Sequence, residues 1–132
     1  MSNNFTEISV SARFSSLSPL MCRVSEQAAQ AGLDEAAICR LQLVLEELFT
    51  NTITHGYGSE CDELVSVKFT HADGHCSLRY WDNAPVFDLS KTPLKDASTS
   101  EFGGLGLTLV HSMSKKVIYG HSGNRNIVLV TF

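Results

Sequence analysis

The sequence has no concentration of basic residues and no long apolar run. Its 10 Lys and Arg are outnumbered by 14 Asp and Glu, which gives a formal net charge of −4. Without a basic cluster to neutralise phosphates, the composition argues against a general nucleic-acid binder. No stretch approaches the roughly 20 apolar residues of a membrane-spanning helix, and residues 1–5 lack the basic and apolar regions of a signal peptide. We therefore expect a cytoplasmic protein that has neither nucleic acid nor membrane as a direct partner.

Cysteine is also sparse and scattered. The 4 cysteines form no C-x-x-C pair, so their spacing supports neither a zinc site nor a disulfide framework. Among the 5 histidines, only His71 and His75 are spaced like metal ligands, and we expect them to flank a β-hairpin instead. The cysteines predicted to be free thiols are Cys22, Cys39, Cys61 and Cys76.

The remaining composition is that of one globular domain spanning residues 1–132, since 43% of the residues are hydrophobic and 18% are charged. Apolar and polar side chains alternate with the period of a strand in several segments. The predicted strands are residues 6–14, 63–70, 76–82, 115–119 and 126–132. Helices are predicted at about 18–31, at 34–56 and from about residue 103. This order predicts an α+β fold, a two-layer sandwich in which about three helices cover one face of a mixed, mainly antiparallel sheet.

The longest predicted helix has an apolar stripe beside a polar edge. At 100° per residue, one face carries Ile38, Leu41, Leu45, Leu48 and Thr52. Glu47 and Asn51 are four residues apart, so they stack on an edge next to that stripe. A carboxylate beside a carboxamide can position a water, a metal or a hydroxyl. Taken alone, however, such a pair is more often a solvated helix edge, and Glu46 on the far side is predicted to be solvated.

Two further segments have functional interpretations. Asp82 ends a predicted strand, where an ordinary turn residue is the simplest interpretation. Residues 103–106 form the glycine-rich string G-G-L-G at a predicted helix start. The string is not a Walker loop, because no G-K-[ST] follows, but bare N–H groups at a helix start suit a phosphate. Residues 89–102, which precede it, are predicted to form a mobile polar surface segment.

Together and in this order, these segments resemble the Bergerat-type (histidine-kinase-like, GHKL) ATPase superfamily. The resemblance is strongest to its smallest branch, the bacterial anti-sigma-factor serine kinases of stress-response and sporulation switches. It is carried by residues 45–51 with the H-G-Y string at 55–57, by residues 82–88 and by residues 103–110. The ending from Tyr119 to Asn126 also resembles that branch. The resemblance implies a Bergerat ATP-binding fold with ATP and Mg²⁺ as cofactors.

The resemblance also implies a role for each matching residue. Asn51 is expected to bind the Mg²⁺ that bridges the phosphates, and Glu47 to act as the general base that accepts the proton of a serine hydroxyl. Asp82 is expected to accept a hydrogen bond from the adenine amino group, which selects ATP over GTP because guanine presents an acceptor there. The other positions expected to bind ATP are His55, Ala84, Gly103, Gly104, Leu105, Gly106, Leu107 and Thr108. Residues 90–102 are expected to close over the triphosphate as a lid.

The function implied by the resemblance is an anti-sigma factor with protein serine/threonine kinase activity. Such a protein sequesters a sigma factor and phosphorylates a STAS-type antagonist, and its relatives tend to dimerise. One departure keeps an alternative open: the superfamily has glycine two residues after the aspartate, whereas this chain has Ala84. The alternative is a non-catalytic partner-switching module, either a phosphatase activator or a pure binding protein. The ATP-binding half of a histidine kinase is less favoured, because no sensor or phospho-acceptor segment is present in the sequence.

Overall fold

The computed structural model describes residues 2–85 and 109–132. Its strands and α-helices are β1 (Ser2–Asn4), β2 (Ile8–Ser11), α1 (Leu17–Gln30), α2 (Glu35–Asn51), β3 (Leu64–Ala72), β4 (His75–Asp82), β5 (Lys116–Ser122) and β6 (Arg125–Thr131). A 3₁₀ turn at Phe14–Ser16 precedes α1, and a π-turn at Thr52–Tyr57 continues α2. A third helix is described at residues 109–112.

The strands form one sheet in the order β1-β3-β4-β6-β5, and β2 also pairs with β3. β1 lies opposite residues 70–72 and β2 opposite residues 64–67, so the two short strands share one edge of β3. Every pairing among the described strands is antiparallel. The predicted α+β fold is confirmed. The sheet was predicted to be mixed and mainly antiparallel, and all the strand pairs described are antiparallel.

Helix α2 begins where the sequence predicts, and the π-turn that continues it carries the helical segment to the predicted end. The Asp34 carboxylate accepts a hydrogen bond from the backbone N–H of Ala37 at 2.8 Å, which caps the helix start. The π-turn that continues α2 stops at Gly58, whose φ of +84° is readily adopted only by glycine. The predicted stripe is buried from Leu41 to Thr52, while Ile38 at its start is half-buried. The π-turn at the helix end was not predicted.

The core lies between the helices and one face of the sheet, and the helix at residues 109–112 contributes Val110 to it. The inward side chains of the sheet are Val65, Val67, Phe69, Leu78, Tyr80, Val128 and Val130. Helix α1 contributes Leu20, Val24 and Ala28. The Tyr80 hydroxyl donates to the carbonyl oxygen of Leu48 at 3.1 Å. This bond ties the last turns of α2 to β4, close to the strand end at Asp82. Among residues 2–85 and 109–132, no helix combines the length and the apolar character required to cross a lipid bilayer.

The first predicted strand was too long. Only Ile8–Ser11 is a strand, because the chain turns at Phe14–Ser16 and α1 then begins at Leu17, one residue before the predicted start. Phe14, placed on the buried side by its alternation, is 47% exposed for this reason. The two histidine positions are confirmed, since His71 lies in β3 and His75 in β4 on either side of the hairpin turn.

Candidate functional site

A pocket opens where the end of α2 meets the end of β4 and the start of β6. It encloses about 350 Å³, counting the part open to solvent. It is lined by Leu48, Asn51, Thr52, Gly56, Tyr80, Asp82, Ala84, Asn126 and Val128. Of the residues predicted from the sequence to bind ATP, the fold therefore brings Asn51, Asp82 and Ala84 to one cavity.

Three described donors hold the Asp82 carboxylate. Its Oδ1 accepts from Asn126 Nδ2 at 2.9 Å and from the backbone N–H of Ala84 at 3.1 Å. Its Oδ2 accepts from Thr52 Oγ1 at 2.8 Å. A carboxylate offers about four lone-pair positions, so these donors fix its orientation and still leave room for one donor from a ligand.

Thr52 and Tyr80 extend this network into the core. The Asp82 carboxylate can only accept, so the hydroxyl proton of Thr52 is directed to it, and Thr52 Oγ1 is the acceptor in the 2.5 Å contact with Tyr80. The single hydroxyl proton of Tyr80 is thus shared between Thr52 Oγ1 and the carbonyl oxygen of Leu48. Burial raises the pKa of Tyr80 well above its ordinary value, so its hydroxyl keeps its proton and remains a donor. The chain of donors runs from Tyr80 through Thr52 to Asp82, and it stabilises the carboxylate as an acceptor.

Asn51 lies in the same pocket with part of its amide unpaired. The side chain is 6% exposed, and its Nδ2 has no hydrogen-bond partner among the described residues. A buried N–H without an acceptor costs about 1–3 kcal/mol, so this position suits a site that a polar ligand completes. The amide oxygen is a hard ligand of the kind that Mg²⁺ accepts. Asn51 thus fits the predicted metal-binding role, and the role itself stays a prediction.

Glu47 lies on α2 one turn before Asn51 and is half-buried, without being part of the pocket lining. Burial raises the pKa of Glu47, and the neighbouring charge of Glu46 raises it further. Glu46 was predicted to be solvated but is half-buried. A carboxylate with a raised pKa is a better proton acceptor near neutral pH. The structure is therefore compatible with a general base at Glu47, and this role also stays a prediction.

The remaining predicted residues have different positions. Ala84 is buried in the pocket wall at 4% exposure. His55 is exposed in the π-turn and does not belong to the pocket lining. The glycine-rich string, residues 103–108, and the predicted lid, residues 90–102, lie outside the described residues. Their expected contacts with the phosphates stay predictions.

Sequence analysis predicted three of the nine residues that line the pocket. The hydrogen-bonding residues that it missed are Thr52, Tyr80 and Asn126. A signal existed for Thr52, because a polar side chain within an apolar helix stripe needs a partner once it is buried. Tyr80 carried a similar signal on the inward side of its strand. For Asn126 the only signal was the family resemblance of the ending from Tyr119 to Asn126. Its contact with Asp82 depends on the register that pairs these two residues across β4 and β6.

Comparison with known proteins identifies the family. The sequence matches the histidine kinase-like ATPase domain over residues 10–132. The chain belongs to this family. Within it, the chain is 26% identical over 113 residues to the serine-protein kinase RsbW of Listeria monocytogenes serotype 4a, a match that covers 80% of this chain and 72% of the relative. RsbW of Listeria innocua matches with the same identity and coverage. The family resemblance predicted from the sequence motifs is confirmed.

Solved structures share this histidine kinase-like ATPase fold. The SiaB–SiaC complex of Pseudomonas aeruginosa matches with a TM-score of 0.71 and 13% identity, covering 98% of this chain and 89% of the other. The RsbU and RsbW domains of Rv1364c from Mycobacterium tuberculosis match with a TM-score of 0.68 and 15% identity. That match covers 96% of this chain but 32% of the Rv1364c chain, so the protein described here spans about a third of the length of Rv1364c in that structure. At these identities the likeness shows the fold alone.

Proposed function

We propose that this domain binds Mg–ATP in the pocket and acts as an ATP-dependent protein serine/threonine kinase. The observation that carries the proposal is the presence of the buried side chains of Asp82 and Asn51 in one pocket of a histidine kinase-like ATPase domain. Asp82 has its orientation set by the protein, whereas the Nδ2 of Asn51 has no partner within residues 2–85 and 109–132 and can donate to a ligand. The similarity to the serine-protein kinases named RsbW supports transfer to a serine or threonine hydroxyl.

The Asp82 end of the pocket suits adenine. Apolar groups of Leu48, Ala84 and Val128 line the cavity and can pack against the flat ring. The remaining acceptor position of Asp82 can take a hydrogen bond from the amino group of adenine. Guanine presents a carbonyl oxygen at the same place, and two acceptors repel each other. The proposed site therefore selects ATP over GTP.

The Asn51 end suits the triphosphate. Asn51 would hold Mg²⁺ through its amide oxygen, and the metal, when bound, offsets the negative charge of the phosphates. Glu47 would accept the proton of the attacking hydroxyl while that oxygen bonds to the γ-phosphorus and ADP leaves. Residues 103–108 are proposed to supply backbone N–H groups to the phosphates.

The proposed partners are a sigma factor and a STAS-type antagonist. The RsbW similarity supports this proposal, and SiaB, a protein of the same fold, has been solved in complex with SiaC. In this scheme the chain sequesters the sigma factor, and phosphorylation of the antagonist prevents the antagonist from competing for the chain. The scheme places the protein in the cytoplasm.

Incubation with γ-labelled Mg–ATP and a purified candidate antagonist tests the kinase proposal. We expect label on the antagonist with ATP, and little label when an equal concentration of labelled GTP replaces ATP. Absence of transfer to any antagonist tested, together with absence of ATP binding in calorimetry, would contradict the proposed function.

A second candidate function is a non-catalytic partner-switching module. Two observations favour keeping it: the Ala84 methyl group occupies the pocket wall, and Glu47 is not part of the pocket lining. Calorimetry combined with the labelling experiment separates the two candidates. Tight ATP binding without transfer favours the module, whereas binding with transfer favours the kinase.

A further inference from the structure

The π-turn at the end of α2 is attached to the backbone that follows β4. Thr52 at its start donates to the Asp82 carboxylate. Tyr57 at its end accepts a hydrogen bond from the backbone N–H of Asn83, at 3.0 Å. A π-turn closes its hydrogen bonds over five residues, so its first and last residues come to lie on the same side. The turn is therefore hydrogen-bonded to the end of β4 at two successive residues, Asp82 and Asn83.

Gly56 packs closely against Ala84 in the segment after β4, and this close approach requires that residue 56 has no side chain. Its φ is not in the left-handed region, so backbone conformation does not require glycine here. A Cβ at position 56 would instead lie 3.0 Å from the Cβ of Ala84, closer than ordinary van der Waals contact. The other neighbours would lie at 3.9 and 4.0 Å, an ordinary distance. The methyl group of Ala84 thus occupies the space that a side chain at Gly56 would need.

Ala84 is the residue whose displacement would disturb the site. Its N–H donates to Asp82 Oδ1 at 3.1 Å, and its carbonyl oxygen accepts from Asn126 Nδ2 at 3.0 Å. Asn126 is itself a donor to Asp82. Any shift of Ala84 therefore moves both groups that hold Oδ1. Gly56 and Ala84 also both line the pocket, so the contact between them forms part of its wall.

Tyr57 binds Asn83, the residue between Asp82 and Ala84. Its hydroxyl accepts from Asn83 and lies 3.5 Å from the carbonyl oxygen of Leu64 at the start of β3. Burial is the largest cause that raises the pKa of Tyr57, so the hydroxyl stays neutral and can both accept and donate. This contact fixes the backbone directly after Asp82.

We propose that Gly56 and Tyr57 are positioning residues of the nucleotide site, and that Gly56 and Ala84 are a size-matched pair. The inference rests on the proposed ATP-binding function. Gly56 lets Ala84 sit against the end of α2, and Tyr57 holds Asn83. Together they set where Asp82 presents its remaining acceptor position. Neither residue touches the reacting atoms, so both act on the choice of base through Asp82.

The test measures displacement of a fluorescent ATP analogue by ATP and by GTP. Gly56→Ala should weaken ATP binding by about tenfold or more and lower the ratio of ATP to GTP affinity, because a small displacement of a binding group has a large effect. Combining Gly56→Ala with Ala84→Gly should restore both values to those of Ala84→Gly alone. Tyr57→Phe should lower the ratio in the same direction. Gly120→Ala is the matched control, because a Cβ there meets nothing within 4 Å, and it should bind like the wild type.

Each outcome decides the proposal. If the wild type binds no ATP, the proposed function fails and this inference fails with it. If the wild type binds and Gly56→Ala binds ATP and GTP as the wild type does, only the inference fails. A loss of both nucleotides in equal proportion also overturns it, since that result indicates a general structural defect. If Gly56→Ala alone does not fold, the double variant decides the matter. It must fold and have the ATP affinity and the ATP-to-GTP ratio of Ala84→Gly, and any other result overturns the size-matched pair.

Discussion

The pocket lining contains two buried polar side chains, Asp82 and Asn51. The parts of the pocket around them, the Asp82 end and the Asn51 end, differ in how completely the protein supplies hydrogen-bond partners. At one end, Asp82 accepts from three described donors, and a chain of hydroxyl groups supports one of them. At the other end, a buried N–H of Asn51 has no partner among the described residues. Both side chains are almost fully buried, at 7% and 6% exposure. The difference therefore lies in the partners that the fold supplies and not in solvent access.

This difference indicates that the Asp82 end recognises the ligand, whereas the Asn51 end takes part in the reaction. A carboxylate whose orientation is already fixed loses little entropy when it binds a ligand, which favours selective recognition of one group. An unpaired amide is unfavourable in the empty protein and becomes favourable when a ligand completes it. We therefore expect changes at the Asp82 end to affect both stability and binding. Changes at the Asn51 end should affect ligand binding and turnover while leaving the fold intact.

The largest expected effect concerns turnover at the Asn51 end. Glu47→Gln removes the proposed base but keeps the shape of the side chain, so phosphoryl transfer should fall by about 100-fold or more while ATP affinity stays within a few-fold. Initial rates of transfer to the antagonist, together with calorimetry, measure both quantities. Glu46→Gln on the same turn is the control and should transfer at close to the wild-type rate. Equal rates for Glu47→Gln and the wild type would remove Glu47 from the mechanism.

The next effect concerns stability at the Asp82 end. Asp82→Ala removes the acceptor shared by Thr52, Asn126 and the N–H of Ala84, so the free energy of unfolding should fall by about 3 kcal/mol. Urea unfolding of the nucleotide-free protein measures it. The control is Asp62→Ala, which breaks an ion pair with Arg13 at the surface and should change stability by less than about 1 kcal/mol. Similar losses for the two variants would show that the Asp82 network contributes nothing special.

A substitution at Asn51 is expected to raise the free energy of unfolding, whereas the substitution at Asp82 lowers it. Asn51→Leu replaces a buried amide with an apolar group of similar size and removes its unpaired N–H. The free energy of unfolding should rise by about 1 kcal/mol or more, while binding of Mg–ATP is lost. Urea unfolding and calorimetry on one preparation measure both. A clear loss of stability would mean that the fold already satisfies this amide, and the contrast between the two ends would disappear.

A smaller effect isolates the hydroxyl chain. Thr52→Val keeps the shape of the side chain but removes the donor to Asp82 and the acceptor for Tyr80, so stability should fall by about 1.5 kcal/mol. Thr54→Val is the matched control from the same turn, since its exposed hydroxyl donates only to the carbonyl oxygen of Thr50. Equal urea midpoints for the two variants would argue against a chain from Tyr80 to Asp82.

The smallest expected effect is a pH dependence caused by Glu47. Burial and Glu46 raise the pKa of this carboxyl in the folded state, so the folded state binds its proton more tightly than the unfolded state does. The stability contributed by this group is present below the unfolded pKa and is lost as pH rises through the raised pKa. Urea midpoints across the acidic range should show this decline for the wild type and less of it for Glu47→Gln. Identical pH profiles would show that Glu47 titrates normally.

Local patterns in the sequence were sufficient for most of the elements. The α2 stripe, the Asp34 cap and the stop at Gly58 depend on neighbours within a few residues, and all three appear in the structure. The first strand was less predictable, because alternation continued through Phe14 while the chain had already turned. Periodicity describes a preference for a local conformation and carries no information about where tertiary contacts end it.

The site divides in the same way. Three motifs, read together, indicated an ATPase of this family, and their residues Asn51 and Asp82 do share a pocket. The partners of those residues were not predictable. Asn126 reaches Asp82 through strand register, and Gly56 meets Ala84 through the packing of a π-turn on a loop. These contacts join residues that are far apart in the chain, and no short-range pattern encodes them.

The sequence by itself determined the family, the order of helices and strands, and which carboxylate and amide belong to the candidate site. Only the tertiary structure decided that Asp82 has its polar partners in place, while the N–H of Asn51 has none in the part of the chain that the structure describes. The physical reason is that hydrogen-bond satisfaction is a property of three-dimensional neighbourhoods. Residue types specify which groups must be paired, whereas the packing of α2 against β4 and β6 decides which of them are.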